Sequence, residues 1–215
     1  MFKTVQLDGT VPSARRNGVA GTSSNAVRRV ASRVRALLAA GLTLAAVAVA
    51  PLAHAELNQG DPAPDFTTQA SLGGKVFTFS LADALKKGPV VLYFYPAAFT
   101  KGCTIEAHLF ADAVDQFHAH HATVIGVSHD DISTLNEFSV SECRSKFAVA
   151  ADADRKIMSA YDAKMPVAPM AKRVSYVITP DGHVWYTYSS MDPQEHVNNT
   201  LHALEDYEKQ HPASN

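Results

Sequence analysis

An α/β domain, three layers deep around a mixed sheet, is the fold class the sequence predicts. Three features predict it. Runs of strand length alternate with segments of helical periodicity; one run, Pro89-Val-Val-Leu-Tyr-Phe-Tyr95, is apolar throughout, as a strand covered on both faces must be; and a tight Pro180-Asp-Gly182 turn joins two β-rich runs.

Taken in order, Lys75–Phe79 follows Gly73-Gly74 and reads as a short strand, with Ser80 placed to cap a brief helix over Leu81–Lys87. Pro89–Tyr95 is the buried strand, and Pro96 stops it. From about Thr104 to His120 the apolar residues Ile105, Leu109, Ala113 and Phe117 recur at helical spacing, and Ala122–Ser128 is the next strand. A helix over Ile132–Phe147, a short strand Ala148–Ala151 and a helix Arg155–Tyr161 follow. Arg173–Thr179 and His183–Tyr188 form an antiparallel pair across the turn, placing Tyr176, Trp185 and Tyr186 in the sheet. Asp192-Pro193 opens a last helix with Val197, Leu201, Leu204 and Tyr207 on one face. This order is the thioredoxin-like arrangement, elaborated at the N-terminus.

Residues 1–55 read as an address. Arg15, Arg16, Arg28, Arg29, Arg33 and Arg35 precede the apolar run Ala36–Ala50, which ends in Ala53-His54-Ala55. Basic, apolar, then small-x-small is a signal peptide with cleavage after Ala55, leaving residues 56–215 as one domain in the periplasm or beyond it. Left uncleaved, the run would hold the chain to a membrane. Seven of the 19 Lys/Arg and one of the 21 Asp/Glu lie in this segment, which leaves 12 and 20, a formal charge of −8. An acidic domain without basic clusters is a poor nucleic-acid binder.

The two cysteines, Cys103 and Cys143, both fall in the domain. In an exported protein a pair reads first as a structural disulfide, but a chain of this length needs no staple. The surroundings of Cys103 point to chemistry. The stretch Pro96-Ala-Ala-Phe-Thr-Lys-Gly-Cys103 lies where the buried strand ends and a helix begins. Free N–H groups and the positive end of the helix dipole there stabilise a thiolate, the reactive form of cysteine. Gly102 lets the backbone approach a small ligand, and the Thr100 hydroxyl can bond the sulfur or an oxygen of that ligand.

The spacing Pro96, Thr100, Cys103 resembles the Pro-x-x-x-Thr-x-x-Cys signature of the peroxiredoxins. The resemblance extends to Gly60-Asp-Pro-Ala-Pro-Asp-Phe66, Val90–Pro96, Gly126-Val-Ser128 and Arg173-x-x-Tyr-Val-Ile-x-Pro-Asp-Gly182, and Cys103-Thr-Ile-Glu106 is similar to the bacterioferritin-comigratory, PrxQ-like group. It implies a thiol peroxidase in which Cys103 attacks peroxide, Thr100 and Arg173 orient it, and Pro96 shapes the loop. Lys172 is the neighbouring candidate for the arginine's place. No cofactor or metal is implied; the partners are a peroxide and an external thiol or thioredoxin-like reductant, and the chain is a monomer or a homodimer. Many members carry a resolving cysteine five residues after the first, where this chain has His108. Cys143, on the helix expected over Ile132–Phe147, is the remaining candidate, to be joined to Cys103 after local unwinding; the alternative is a one-cysteine enzyme with Cys143 in the core.

Other features carry less. Glu106 reads either as a proton relay or as a first-turn carboxylate favoured by the dipole. His118-Ala-His120-His121 reads as solvent-exposed rather than metal-binding, and Tyr95 and Phe99 as pocket walls. The alternatives are a periplasmic thiol–disulfide oxidoreductase of the same fold, against which stands Thr100 where a second cysteine is normal, and a non-catalytic thioredoxin-like binding protein; copper delivery would want paired cysteines and a distant histidine around this loop.

Overall fold

The structure is a computed structural model and describes residues 56–212, so the export segment read over 1–55 lies outside the described residues. A seven-stranded sheet organises the domain, built from β1 (Thr67–Leu72), β2 (Lys75–Ser80), β3 (Val90–Phe94), β4 (Thr123–Ser128), β5 (Ala148–Ala151), β6 (Val174–Ile178) and β7 (Val184–Ser189). Its order is β2-β1-β5-β4-β3-β6-β7, with β3, β4 and β5 parallel and the outer pairings antiparallel. Five helices pack on it: α1 (Leu81–Leu85), α2 (Lys101–Ala119), α3 (Ile132–Ser141), α4 (Lys156–Ala160) and α5 (Gln194–Gln210).

Every residue of β3 is buried, which is why its sequence is apolar without alternation. Leu92 and Phe94 join a core with α1 and α4, whereas Val91, Tyr93 and Tyr95 face the opposite way into a core with α2, α3 and α5. Ser80 caps α1 as its position predicts, accepting from the Asp83 amide.

One strand was missed and two expectations need correction. The strand β1 was not legible: TTQASL has no apolar alternation, yet it pairs with β2 across Gly73-Gly74, both with positive φ, and with β5 on its other side. The helix expected to run to Phe147 ends at Ser141. Arg144 and Ser145 take left-handed conformations, φ 50 and 57, and these turn the chain so that Ala148–Ala151 can pair with β4. Cys143 therefore sits in that turn, not on a helix. The helix expected from Arg155 starts at Lys156, because Arg155 is left-handed, φ 60.

Candidate active site

Strand β3 delivers the chain to buried Pro96 and an irregular loop, from which α2 starts with Thr100 at its N-cap. Cys103 is thus in the first turn of α2, buried at 2% exposure, its thiol free. The loop is tied down from β4: Asp130 accepts from the Ala98 amide at 2.8 Å and from Ser128 Oγ at 2.7 Å, and His129 Nδ1 donates to the Pro96 carbonyl at 3.0 Å. Sequence reading missed His129 and Asp130. Their signal was position, just past the carboxyl end of a central parallel strand, where α/β sheets place their sites.

Arg173, one residue before β6, reaches across 70 positions of sequence to this loop. Its Nη2 donates to Cys103 Sγ at 3.5 Å, its Nη1 to Glu106 Oε2, and its Nε to the Met191 carbonyl at 3.2 Å. The guanidinium is itself only 3% exposed, and Glu106 is fully buried. Burial works against the charge on Arg173, but its contacts with Glu106 and Cys103 hold its pKa above the ordinary value. Burial pushes the Glu106 carboxyl up to about 8 while Arg173 pulls it down. The neighbouring Lys172 is not at this site; its ammonium meets Glu56 at 3.2 Å.

Gly102 has a different reason from the one its sequence suggests. A Cβ built there would stand 3.0 Å from Arg173 Nη2, so the glycine makes room for the guanidinium. Thr100 is exposed, and its hydroxyl donates to the Ala97 carbonyl at 2.9 Å rather than to the sulfur. Tyr95 is buried at 1% exposure, whereas Phe99, with φ 61, stands half-exposed with its ring edge-on to Phe138.

Cys143 is buried beneath the same face of the sheet, in one apolar cluster with Cys103, Tyr93 and Tyr95. Burial, with the Glu142 charge adding to it, pushes its thiol far above the ordinary cysteine range. Two contacts fasten its turn to α2: His108 Nε2 lies 3.0 Å from Glu142 Oε2, and Arg144 pairs with Asp112. The histidine cluster lies at the other end of α2, about 25 Å from Cys103 at 1.5 Å per residue, and its His120 pairs with Glu208 at 2.9 Å. A cavity of about 440 Å³ between β2, α1 and the end of α2, walled by Leu72, Phe77, Phe79 and Phe147, holds neither cysteine and no arginine.

A sulfur held against a guanidinium at a helix start is equipped for nucleophilic redox chemistry, which places the protein among thiol-dependent enzymes built on the thioredoxin-like sheet. More particularly, the chain belongs to the AhpC/TSA family, whose family model matches residues 59–187. It is 33% identical over 152 residues to "Peroxiredoxin Q, chloroplastic" of Oryza sativa subsp. japonica, covering 70% of this chain and 68% of that one. The protein of the same description from Arabidopsis thaliana is 33% identical over 155 residues, 71% of this chain and 69% of its own. Among solved structures, peroxidoxin BcpB from Mycobacterium tuberculosis superposes with a TM-score of 0.64 at 29% identity, covering 70% of this chain and 97% of that chain.

Proposed function

We propose that the protein is a thiol peroxidase that reduces hydrogen peroxide and organic hydroperoxides at Cys103. The observation that carries this reading is the 3.5 Å contact between the Arg173 guanidinium and a buried sulfur at a helix start. The Cys103 thiolate attacks the terminal peroxide oxygen; an S–O bond forms, the O–O bond breaks, and the departing oxygen takes a proton and leaves as water or an alcohol. Sulfur is oxidised by two electrons to the sulfenic acid. Arg173 offsets the charge on the thiolate and on the departing oxygen, and the Thr100 hydroxyl orients the peroxide after leaving the Ala97 carbonyl. Pro96 fixes the loop from which Thr100 and Cys103 project.

Cys143 resolves the sulfenic acid: its thiolate attacks the Cys103 sulfur, a disulfide forms and water leaves. Burial suppresses that thiolate, so the turn carrying Cys143 opens first. A thioredoxin-like reductant then returns both thiols. Residues 1–55 serve as an export signal cleaved after Ala55, which N-terminal sequencing of exported protein would read as Glu56.

Mass spectrometry after one equivalent of hydrogen peroxide tests the chemistry. Wild type is expected to lose about 2 Da as the disulfide forms, and Cys143→Ser to gain about 16 Da as sulfenic acid at Cys103. No rapid oxidation at Cys103 would overturn the reading; sulfenic acid persisting in wild type would make it a one-cysteine enzyme.

A further inference from the structure

Behind Arg173 lies a polar cluster to which the steps above assign no task. One carboxyl oxygen of Glu106, Oε2, takes the guanidinium; the other, Oε1, is buried and has no hydrogen-bond partner among the described residues. It faces His196 Nδ1 at 3.8 Å. His196, at the start of α5, is fully buried; its Nε2 lies 2.9 Å from the Ser190 carbonyl and its Nδ1 2.8 Å from Ser175 Oγ. A carbonyl only accepts, so Nε2 carries the ring hydrogen and Nδ1 presents a lone pair. Two lone pairs opposed in a dry interior repel, and a single proton between them removes the conflict.

Charge balance says where that proton is useful. Cys103 and Glu106 stand three residues apart on one face of α2 and share the single positive charge of Arg173. Thiolate together with carboxylate would leave the buried cluster one negative charge in excess. Thiolate with a protonated carboxyl leaves none.

We propose that His196 is a positioning residue for this balance: its Nδ1 accepts a hydrogen bond from the Oε1–H of a neutral Glu106, leaving the Arg173 charge to the Cys103 sulfur. The inference rests on Cys103 being the reactive thiol. Closing the contact needs a movement of about 1 Å from the present separation. Burial pushes His196 down to about 4 and Glu106 up to about 8, so near neutrality the proton resides on the carboxyl. The other groups facing the pair are Tyr93 on β3, Arg173 and Ser175 at β6, Tyr188 on β7, whose ring lies 4.8 Å from that of His196, and Asp192 ahead of α5. None of these is a second cation besides Arg173. Ser175 donates to the same Nδ1 lone pair and so competes with Glu106 for it.

The competition gives a test with two signs. The rate of Cys103 alkylation by iodoacetamide is measured against pH in a Cys143→Ser background, with circular dichroism and thermal unfolding as the check on folding. His196→Leu removes the acceptor and is expected to raise the pH midpoint of alkylation by about 0.5 unit or more. His196→Asn, whose amide oxygen can stand near the Nδ1 position, is expected to restore part of that shift. Ser175→Ala frees the lone pair and is expected to lower the midpoint. A folded His196→Leu variant with an unchanged midpoint would overturn the proposal, as would Ser175→Ala moving the midpoint upward or leaving it in place; if His196→Leu does not fold, Ser175→Ala decides alone. Alkylation needs no peroxide, so failure of the peroxidase reading shows separately, as absence of Cys103 oxidation in wild type.

Discussion

Arg173 holds two acidic neighbours with one charge, and its effects on stability and on catalysis can be separated. Removing it as Arg173→Met leaves the buried Glu106 carboxyl without its partner, a loss of about 1–3 kcal/mol by the usual scale for a buried polar group left unsatisfied, and takes from the sulfur the cation 3.5 Å away. Adding Glu106→Gln removes the stranded carboxyl. The double variant is therefore expected to recover most of the stability in urea unfolding while its peroxide rate stays about 10²-fold or more below wild type; recovery of rate along with stability would mean Arg173 is structural only. Glu106 by itself sets a pH dependence. Its carboxyl is pushed from an ordinary value of 4.5 to about 8, so between those limits the unfolded chain gives up a proton that the folded chain retains. That contribution is fully present below pH 4.5 and is lost as pH rises through 8. Glu106→Gln has no such proton to lose, so its stability relative to wild type is expected to improve from pH 5 to pH 8 by about 1 kcal/mol or more, read from urea unfolding at the two pH values.

Among the elements, the turn from Glu142 to Phe147 decides how Cys143 is used. Its fastenings to α2, His108–Glu142 and Arg144–Asp112, involve partly exposed side chains, and pairs of that kind contribute about 0–1 kcal/mol each. Burial of Cys143 in the cluster with Tyr93 and Tyr95 contributes more, so these two contacts trim the opening rate and do not forbid opening. Arg144→Ala is expected to speed disulfide formation up to about 5-fold in stopped-flow tryptophan fluorescence without altering the first oxidation of Cys103; equal rates for both proteins would show that the turn does not limit resolution. The same turn marks where the sequence stops being legible. Apolar residues continue at helical spacing through Phe147, and nothing local announces that Arg144 and Ser145 adopt positive φ, because what demands it is the pairing of β5 with β4. The polar strand β1 is equally a product of its neighbours, held between β2 and β5. By contrast β3, α2 and the β6–β7 pair carry their signals in their own residues. Cys103 and Arg173 were legible from motif and register. His196 and Asp130 were not, since a lone histidine in the first turn of α5 and an Asp after a strand acquire meaning only from what they touch.

At the scale of the whole molecule the sheet, not the loop, fixes where Cys103 stands. Helix α2 packs on the face of β3 and β4 through Tyr93, which stacks on Phe110 with ring centroids 4.4 Å apart, and the far end of the Tyr93 ring lies against the backbone of Gly126 in β4. A Cβ at position 126 would fall 2.7 Å from Tyr93 Cζ, 2.8 Å from its Oη and 2.9 Å from Cε1, closer than real Cβ atoms approach anything. The ring has little freedom to yield, since Tyr95, Phe110 and Phe147 surround it. The displacement must pass through Phe110 into α2, which carries Cys103 seven residues earlier on the same helix. Gly126→Ala is therefore expected to lower stability by about 1–3 kcal/mol and, in the protein that remains folded, to slow Cys103 oxidation by about 10-fold or more, because a shift of the helix loosens the sulfur from Arg173. Shortening the ring in the double variant Gly126→Ala/Tyr93→Leu removes the collision and is expected to return the oxidation rate toward wild type even if some stability stays lost to the missing aromatic contacts. Oxidation at the wild-type rate in Gly126→Ala alone would show that the ring moves without carrying α2, and that the loop fastened by Asp130 holds the sulfur by itself.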